Sequence, residues 1–204
     1  MKSQPDPLNL FICGVGGQGN ILISRLIGRA LSKKGYFVTV GETFGSAQRG
    51  GAVFSGFRIS KRKYYGPLIP EGQGHIILSL EPLETLRILN AYGSAEVVTL
   101  TNLKSMYPVG VLSKRSVYPD LEKLKAAIQR LSKSSWFLNA TDMAMELGSA
   151  IMTNIVMLGA LIGSNSLPLS MEDIEEEVKA TFPGPKSDLN LQALKRGFQE
   201  TRSK

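Results

Sequence analysis

The segment that most constrains the fold is residues 9–31. Asn9-Leu10-Phe11-Ile12-Cys13 reads as a short apolar strand, and it runs straight into Gly14-Val15-Gly16-Gly17-Gln18-Gly19. Residues 20–31 follow, with apolar positions 22, 26, 27, 30 and 31 at helical spacing. A strand, a glycine-rich turn and a helix in this order predict an α/β unit. Glycines there let the backbone turn tightly and let a partner approach closely. The bare N–H groups at the start of such a helix form an anion site.

Gly14, Gly16 and Gly19 also satisfy the dinucleotide pattern G-x-G-x-x-G, and the next strand, 36–40, ends near Glu42. Three readings are open on this stretch alone. It is a nucleotide-binding turn with Glu42 on the ribose, a turn that needs glycine to pack, or a loop for a phosphate or a partner chain.

Further strands are expected at 52–59, where Val53, Phe57 and Ile59 share a face, and at 75–80, 95–101 and 135–140, with another inside 109–117. Helices are expected from Pro82, which suits a first helical turn, and over 120–131, with an apolar stripe of Leu121, Leu124, Ile128 and Leu131. Residues 143–163 are long and mostly apolar. Glu146, Asn154 and two interrupting glycines, Gly148 and Gly159, argue for a buried helix and against a membrane span. Gly159 and Gly163 would admit a second helix closely, so self-association through 143–163 is an expectation. Ser170 with Asp173 forms a capping signal for a helix at 174–181, and Pro183-Gly184-Pro185 separates it from a last helix over 188–199. The fold class expected is a three-layer α/β/α single domain over 1–204, with a mostly parallel or mixed sheet and a helical C-terminal third.

Two residue counts exclude chemistry. With one cysteine, Cys13, the chain can build neither an iron–sulfur cluster nor a zinc site, and in a buried strand that cysteine is a small apolar residue. With one histidine, His75, a hydrolytic triad has a single possible base, placed at a strand entry. The net charge of +7 is spread along the chain with few aromatics beside it, which points to an acidic protein partner and not to nucleic acid. The run Lys61-Arg62-Lys63 before Tyr64-Tyr65 reads as a solvated hairpin tip. Cysteine usage and the opening residues suit the cytoplasm, without a signal peptide.

After strand two comes Glu42-Thr43-Phe44-Gly45-Ser46-Ala47-Gln48-Arg49-Gly50-Gly51, for which a simple dinucleotide unit has no use. The pair G-V-G-G-Q-G and E-T-x-G-x-x-Q-R-G-G resembles the gamma-type subunit of 2-oxoacid:ferredoxin oxidoreductases, and within it the small (beta) subunits of the indolepyruvate enzymes. Phe44 stands where many members carry histidine or tyrosine, so the resemblance names no particular 2-oxoacid.

That resemblance implies a subunit binding no cofactor alone. Thiamine diphosphate and iron–sulfur clusters belong to a catalytic partner subunit, coenzyme A is a co-substrate, and ferredoxin is met through the complex. Here Arg49 and Gln48 are the expected substrate or CoA contacts. Gly50 and Gly51, with Gly14, Gly16, Gly17, Gln18 and Gly19, are the expected cofactor- or anion-binding backbone, and Glu42 is a candidate beside them. The alternative is an independent NAD(P)-binding oxidoreductase.

Overall fold

A computed structural model describes residues 5–42, 51–107, 111, 113–114 and 117–202. The chain alternates strand and helix as its apolar periodicity dictates. Strands are β1 (Leu8–Val15), β2 (Phe37–Glu42), β3 (Ala52–Ser60), β4 (Gly74–Ser79), β5 (Gly93–Asn102) and β6 (Ser134–Leu138). Helices are α1 (Asn20–Lys33), α2 (Pro82–Tyr92), α3 (Leu121–Leu131), α4 (Ala140–Glu146), α5 (Thr153–Gly163), α6 (Met171–Thr181) and α7 (Pro185–Arg202), with a short 3-10 turn, Ala150–Met152, before α5.

The six strands form one mixed sheet in the order β2-β3-β1-β4-β5-β6. β1, β4, β5 and β6 are mutually parallel, while β3 runs antiparallel to both β1 and β2. Alternate residues of β1 serve opposite faces. Leu10 and Ile12 pack in a core with Ile23, Leu26 and Ile27 of α1 and with the C-terminal helices, whereas Phe11 and Cys13 join Ile88 of α2 and Ile128 of α3 in the other layer. The three-layer α/β/α expectation holds.

Several expectations change in detail. Residues 143–163 are not one helix. Gly148 takes φ 106°, which ends α4, and the chain re-enters helix at Thr153, while Gly159 lies inside α5 without breaking it. The surface around Gly159 and Gly163 is not left for a second copy. A Cβ on Gly159 would run into the backbone of Leu194, and one on Gly163 into that of Phe198, both on α7 of the same chain. Residues 154–162 are all buried, so the small-residue face is spent within the molecule.

Lys61-Arg62-Lys63 is not a hairpin tip either, because β3 and β4 are not neighbours; β1 lies between them. Much of the strand expected within 109–117 lies outside the described residues. The cap at Ser170 forms as the sequence indicates, with Asp173 N–H donating to the serine and Ser170 N–H donating back to the aspartate. Pro185 opens α7, three residues earlier than expected.

Candidate functional site

The carboxyl ends of β1, β4, β5 and β6 share one edge of the sheet, the place where open α/β folds collect ligands. The glycine turn stands at that edge. Gly17 and Gly19 take φ 102° and 90°, which only glycine adopts without strain. Asn20 then begins α1. Gly16 N–H donates to the carbonyl of Gly51 at 2.8 Å, so the first glycine motif is bonded directly to the last residue of the second. Gly51 therefore lies at this edge, while Glu42 ends β2 level with Ile12 of β1. Phe44, Gln48, Arg49 and Gly50 themselves lie outside the described residues.

Gln18 reaches inward. Its side-chain oxygen accepts from Val15 N–H at 2.7 Å and its amide donates to the carbonyl of Leu80 at 3.1 Å, tying the end of β1 to the end of β4. Gly14 leaves room for this brace: a Cβ there would sit 2.5 Å from the glutamine oxygen. The network continues across the edge. Asn102 donates to the same Leu80 carbonyl and to the Thr141 hydroxyl, both at 3.1 Å, and accepts from Thr141 N–H at 3.3 Å.

The N–H groups of Gly17, Gly19, Asn20 and Ile21 meet no acceptor among the described residues. They are the donors an anion would find at this helix start, strengthened by the aligned peptide dipoles. Asn20 lies beneath them, 6% exposed, with its amide on Val53 O at 3.4 Å and its carbonyl oxygen without a partner among the described residues.

Ser79, Glu81 and Pro82, also at this edge, serve the fold. Glu81 is 1% exposed and caps α2 by accepting from Glu84 N–H at 2.9 Å, while its other oxygen accepts from Met106 N–H at 3.3 Å and from the Tyr118 hydroxyl. Burial, and the neighbouring Glu81 carboxylate, push the Tyr118 phenol upward. Burial likewise raises the Glu84 carboxyl, with Arg87 opposing it.

Cys13 is a packing residue, its thiol pushed up to about 12 by burial. His75 is at the far end of the sheet, where its Nδ1 accepts from Asn9 N–H at 3.0 Å; burial lowers its pKa, favouring the neutral ring this bond requires. It cannot act as a base for the glycine turn. Among the described residues no group of three or more His, Cys, Asp or Glu side chains is placed to hold a metal ion, and no helix is long and apolar enough to cross a membrane.

The dinucleotide reading fails on strand order. A Rossmann unit sets its second strand directly beside the first, which brings the acidic residue to the nucleotide. Here antiparallel β3 separates β2 from β1, and Glu42 pairs with Ser55, which faces Ile12 in turn. Two strand spacings, roughly 10 Å, stand between Glu42 and β1. The bracing roles of Gln18, Asn102 and Thr141 were not foreseen; a polar residue closing each apolar segment was the only signal.

A model of the pyruvate ferredoxin/flavodoxin oxidoreductase family matches residues 9–200. The chain is 36% identical to indolepyruvate oxidoreductase subunit IorB of Archaeoglobus fulgidus, over 96% of each chain. It is 27% identical to the pyruvate/ketoisovalerate oxidoreductases common subunit gamma of Thermococcus kodakarensis, over 92% of this chain and 94% of that one. Among solved structures, the gamma subunit of keto/oxoacid ferredoxin oxidoreductase from Geobacter sulfurreducens shares the fold, with a TM-score of 0.68 at 23% identity over 96% of this chain and 99% of the other. The same fold occupies 32% of a 2-oxoglutarate:ferredoxin oxidoreductase chain from Magnetococcus marinus, with a TM-score of 0.73 at 19% identity over 98% of this chain. With a family model spanning nearly all of its length and relatives of matching extent, this chain belongs to the pyruvate ferredoxin/flavodoxin oxidoreductase family.

Proposed function

We propose that the chain, as one unit over 1–204, is the gamma-type subunit of a cytoplasmic 2-oxoacid:ferredoxin oxidoreductase acting on indolepyruvate or another aryl or branched 2-oxoacid. The observation that carries the reading is the 36% identity to an indolepyruvate oxidoreductase subunit across 96% of both chains. One cysteine in the whole sequence supports placing the iron–sulfur clusters elsewhere. Thiamine diphosphate, on the catalytic partner, supplies the electron sink for decarboxylation. This chain's contribution is to bind, orient and exclude water.

The Gly16–Gly51 bond joins the first glycine motif to the last residue of the second, beside amides at the start of α1 that meet no acceptor among the described residues. In this reading Arg49 and Gln48 hold a carboxylate or phosphate of the 2-oxoacid or of CoA, with Gly17, Gly19, Gly50 and Gly51 supplying backbone donors. Exposed apolar residues surround the same edge: Ile21, Met106, Tyr107 and Ile151. They form the surface against which the catalytic subunit closes.

The test is co-expression with the catalytic subunit and anaerobic assay of 2-oxoacid- and CoA-dependent ferredoxin reduction. Arg49→Ala should leave assembly intact and raise KM for CoA or the 2-oxoacid by roughly 10–100-fold, the worth of hydrogen bonds to a charged group. Unchanged kinetics in an intact complex would remove Arg49 from the site. Failure of the chain to join any thiamine-diphosphate subunit would overturn the reading as a whole.

A further inference from the structure

Where β3 leaves the sheet, at the end opposite the glycine turn, Lys61, Arg62 and Lys63 follow one another, and Arg58 lies just before them on the strand. Their surroundings differ from those of other cations at this end. Lys33 is paired with Glu177, and Lys34 with Asp173. Of the four, only Arg62 has a carboxylate partner among the described residues, Asp6 at 3.6 Å. Arg58 donates to the carbonyls of Gly66 and Leu68 and lies 4.9 Å from the Tyr65 ring centre. Lys63 lies over the same ring at 5.2 Å, and Lys61 over Tyr36 at 5.0 Å. No described carboxylate forms an ion pair with Arg58, Lys61 or Lys63. Aromatic rings hold these cations in place without neutralising them.

Two large apolar side chains stand open on the connection that follows. Tyr64 is 69% exposed, its ring meeting Phe37 edge-on, and Leu68 is 84% exposed. At the rim of the other sheet face, Asp6, Leu8, Tyr36, Ile59, Lys61 and Arg62 line a pocket of about 380 Å³. A merely solvated face intersperses both signs of charge and keeps its apolar residues apart. An exposed Tyr and Leu close to uncompensated cations is instead the make-up of a protein-binding patch, in which Tyr and Arg anchor and charge selects the partner.

We propose that this surface docks an acidic protein, distinct from the subunit met at the glycine edge. Charge complementarity sets the partner's sign, and Tyr64 and Leu68 call for apolar residues among its carboxylates. Single-stranded nucleic acid fits less well, since it binds by stacking on open aromatic faces, and Tyr36 and Tyr65 already carry cations. β1 spans seven residue steps, roughly 23 Å, between the glycine turn and the end where Lys61–Lys63 lie, and Leu68 is nearer, since Pro67 packs against Gly41 midway along the sheet. The inference stands on this surface alone and does not depend on the activity proposed above.

The test titrates the full chain with three labelled probes, followed by fluorescence anisotropy at two salt concentrations: a glutamate–glycine peptide, a glutamate–leucine peptide of equal charge, and oligothymidylate. The glutamate–leucine peptide should bind most tightly. Lys61→Glu with Lys63→Glu should weaken it by about tenfold or more and flatten its salt dependence, while Lys61→Arg with Lys63→Arg retains it. Tyr64→Ala with Leu68→Ser should abolish the preference for leucine over glycine. Lys123→Glu with Lys186→Glu changes net charge equally on other exposed sites and should cost less than about twofold. An equal loss in that control, no binding by the wild-type chain, or tighter binding of oligothymidylate that the Lys61/Lys63 reversal removes would each overturn the proposal. Circular dichroism melts confirm that every variant is folded.

Discussion

The turn after β1 and the α5–α7 helix pair are both built on glycine, and they use it differently. At the turn the demand is conformational. Gly17 and Gly19 have positive φ, and a Cβ on Gly17 would meet nothing within 4 Å. At the helix pair the demand is for space. Gly159 and Gly197 are ordinary helical residues, yet a Cβ on either would enter the backbone of the opposite helix, at Leu194 and Val156 respectively. The turn can therefore rearrange around an added methyl group at the cost of backbone strain. The helix pair can accept one only by moving whole helices apart.

Breaking the helix pair should have the largest effect. Gly197→Ala places a methyl against the Val156 carbonyl and the Ala160 amide, atoms that have no side-chain freedom. Overpacking of this kind should cost at least about 3 kcal/mol. For a chain of this size that lowers Tm by roughly 6–12 °C in a calorimetric scan. Gly159→Ala should do the same, and neither should be rescued by ligand or partner at the glycine edge. A loss below about 1 kcal/mol would mean that the helices part easily, and the contrast between the two regions would disappear.

The turn should respond less. Gly19→Ala must hold φ near 90° and displace the end of the Asn154 side chain, a movable group, so about 1–3 kcal/mol is expected. Gln18→Ala leaves Val15 N–H without its acceptor, while the Leu80 carbonyl keeps Asn102 as a donor. One orphaned backbone donor predicts about 1–3 kcal/mol by urea unfolding. Because Gln18 ties β1 to β4 beneath the proposed anion site, Gln18→Ala should also weaken co-substrate use in the assembled enzyme. Gly197→Ala should leave it intact wherever the chain remains folded.

The contrast also shows which features can be read from a sequence. β1, the glycine turn and α1 were legible because strand pattern, turn residues and helical spacing are all local. The buried Cys13, the cap at Ser170 and the strand-entry place of His75 were legible for the same reason. Strand order was not, since nothing within 52–59 says that this strand inserts antiparallel between β1 and β2. That insertion removes Glu42 from the dinucleotide geometry and turns Lys61-Arg62-Lys63 from a hairpin tip into the start of a crossover. The spacing of Gly159 and Gly163 announced a close helix contact, but the partner was hidden in a segment with only one glycine of its own, Gly197. Gln18 reads in sequence as a ligand contact, and only the positions of Val15 and Leu80 reveal it as a brace. The residues that the family resemblance weights most, Gln48 and Arg49, lie outside the described residues.

A third glycine supplies the smallest effect, with the opposite sign. Gly28 lies inside α1, where a glycine costs helix stability of up to about 1 kcal/mol relative to alanine. It has neither a positive φ nor a close neighbour: its added Cβ would come no nearer than 3.9 Å to the ring edge of Phe57, an ordinary contact. Gly28→Ala should therefore stabilise the chain by roughly 0.5–1 kcal/mol, partly by restricting the unfolded state. A two-state melt should show Tm rising by roughly 1–4 °C. Were Gly28→Ala destabilising, the space between α1 and β3 would have to be tighter than the distance to Phe57 allows. Loss of oxidoreductase activity without loss of stability would instead give Gly28 a role that its position on α1 does not suggest.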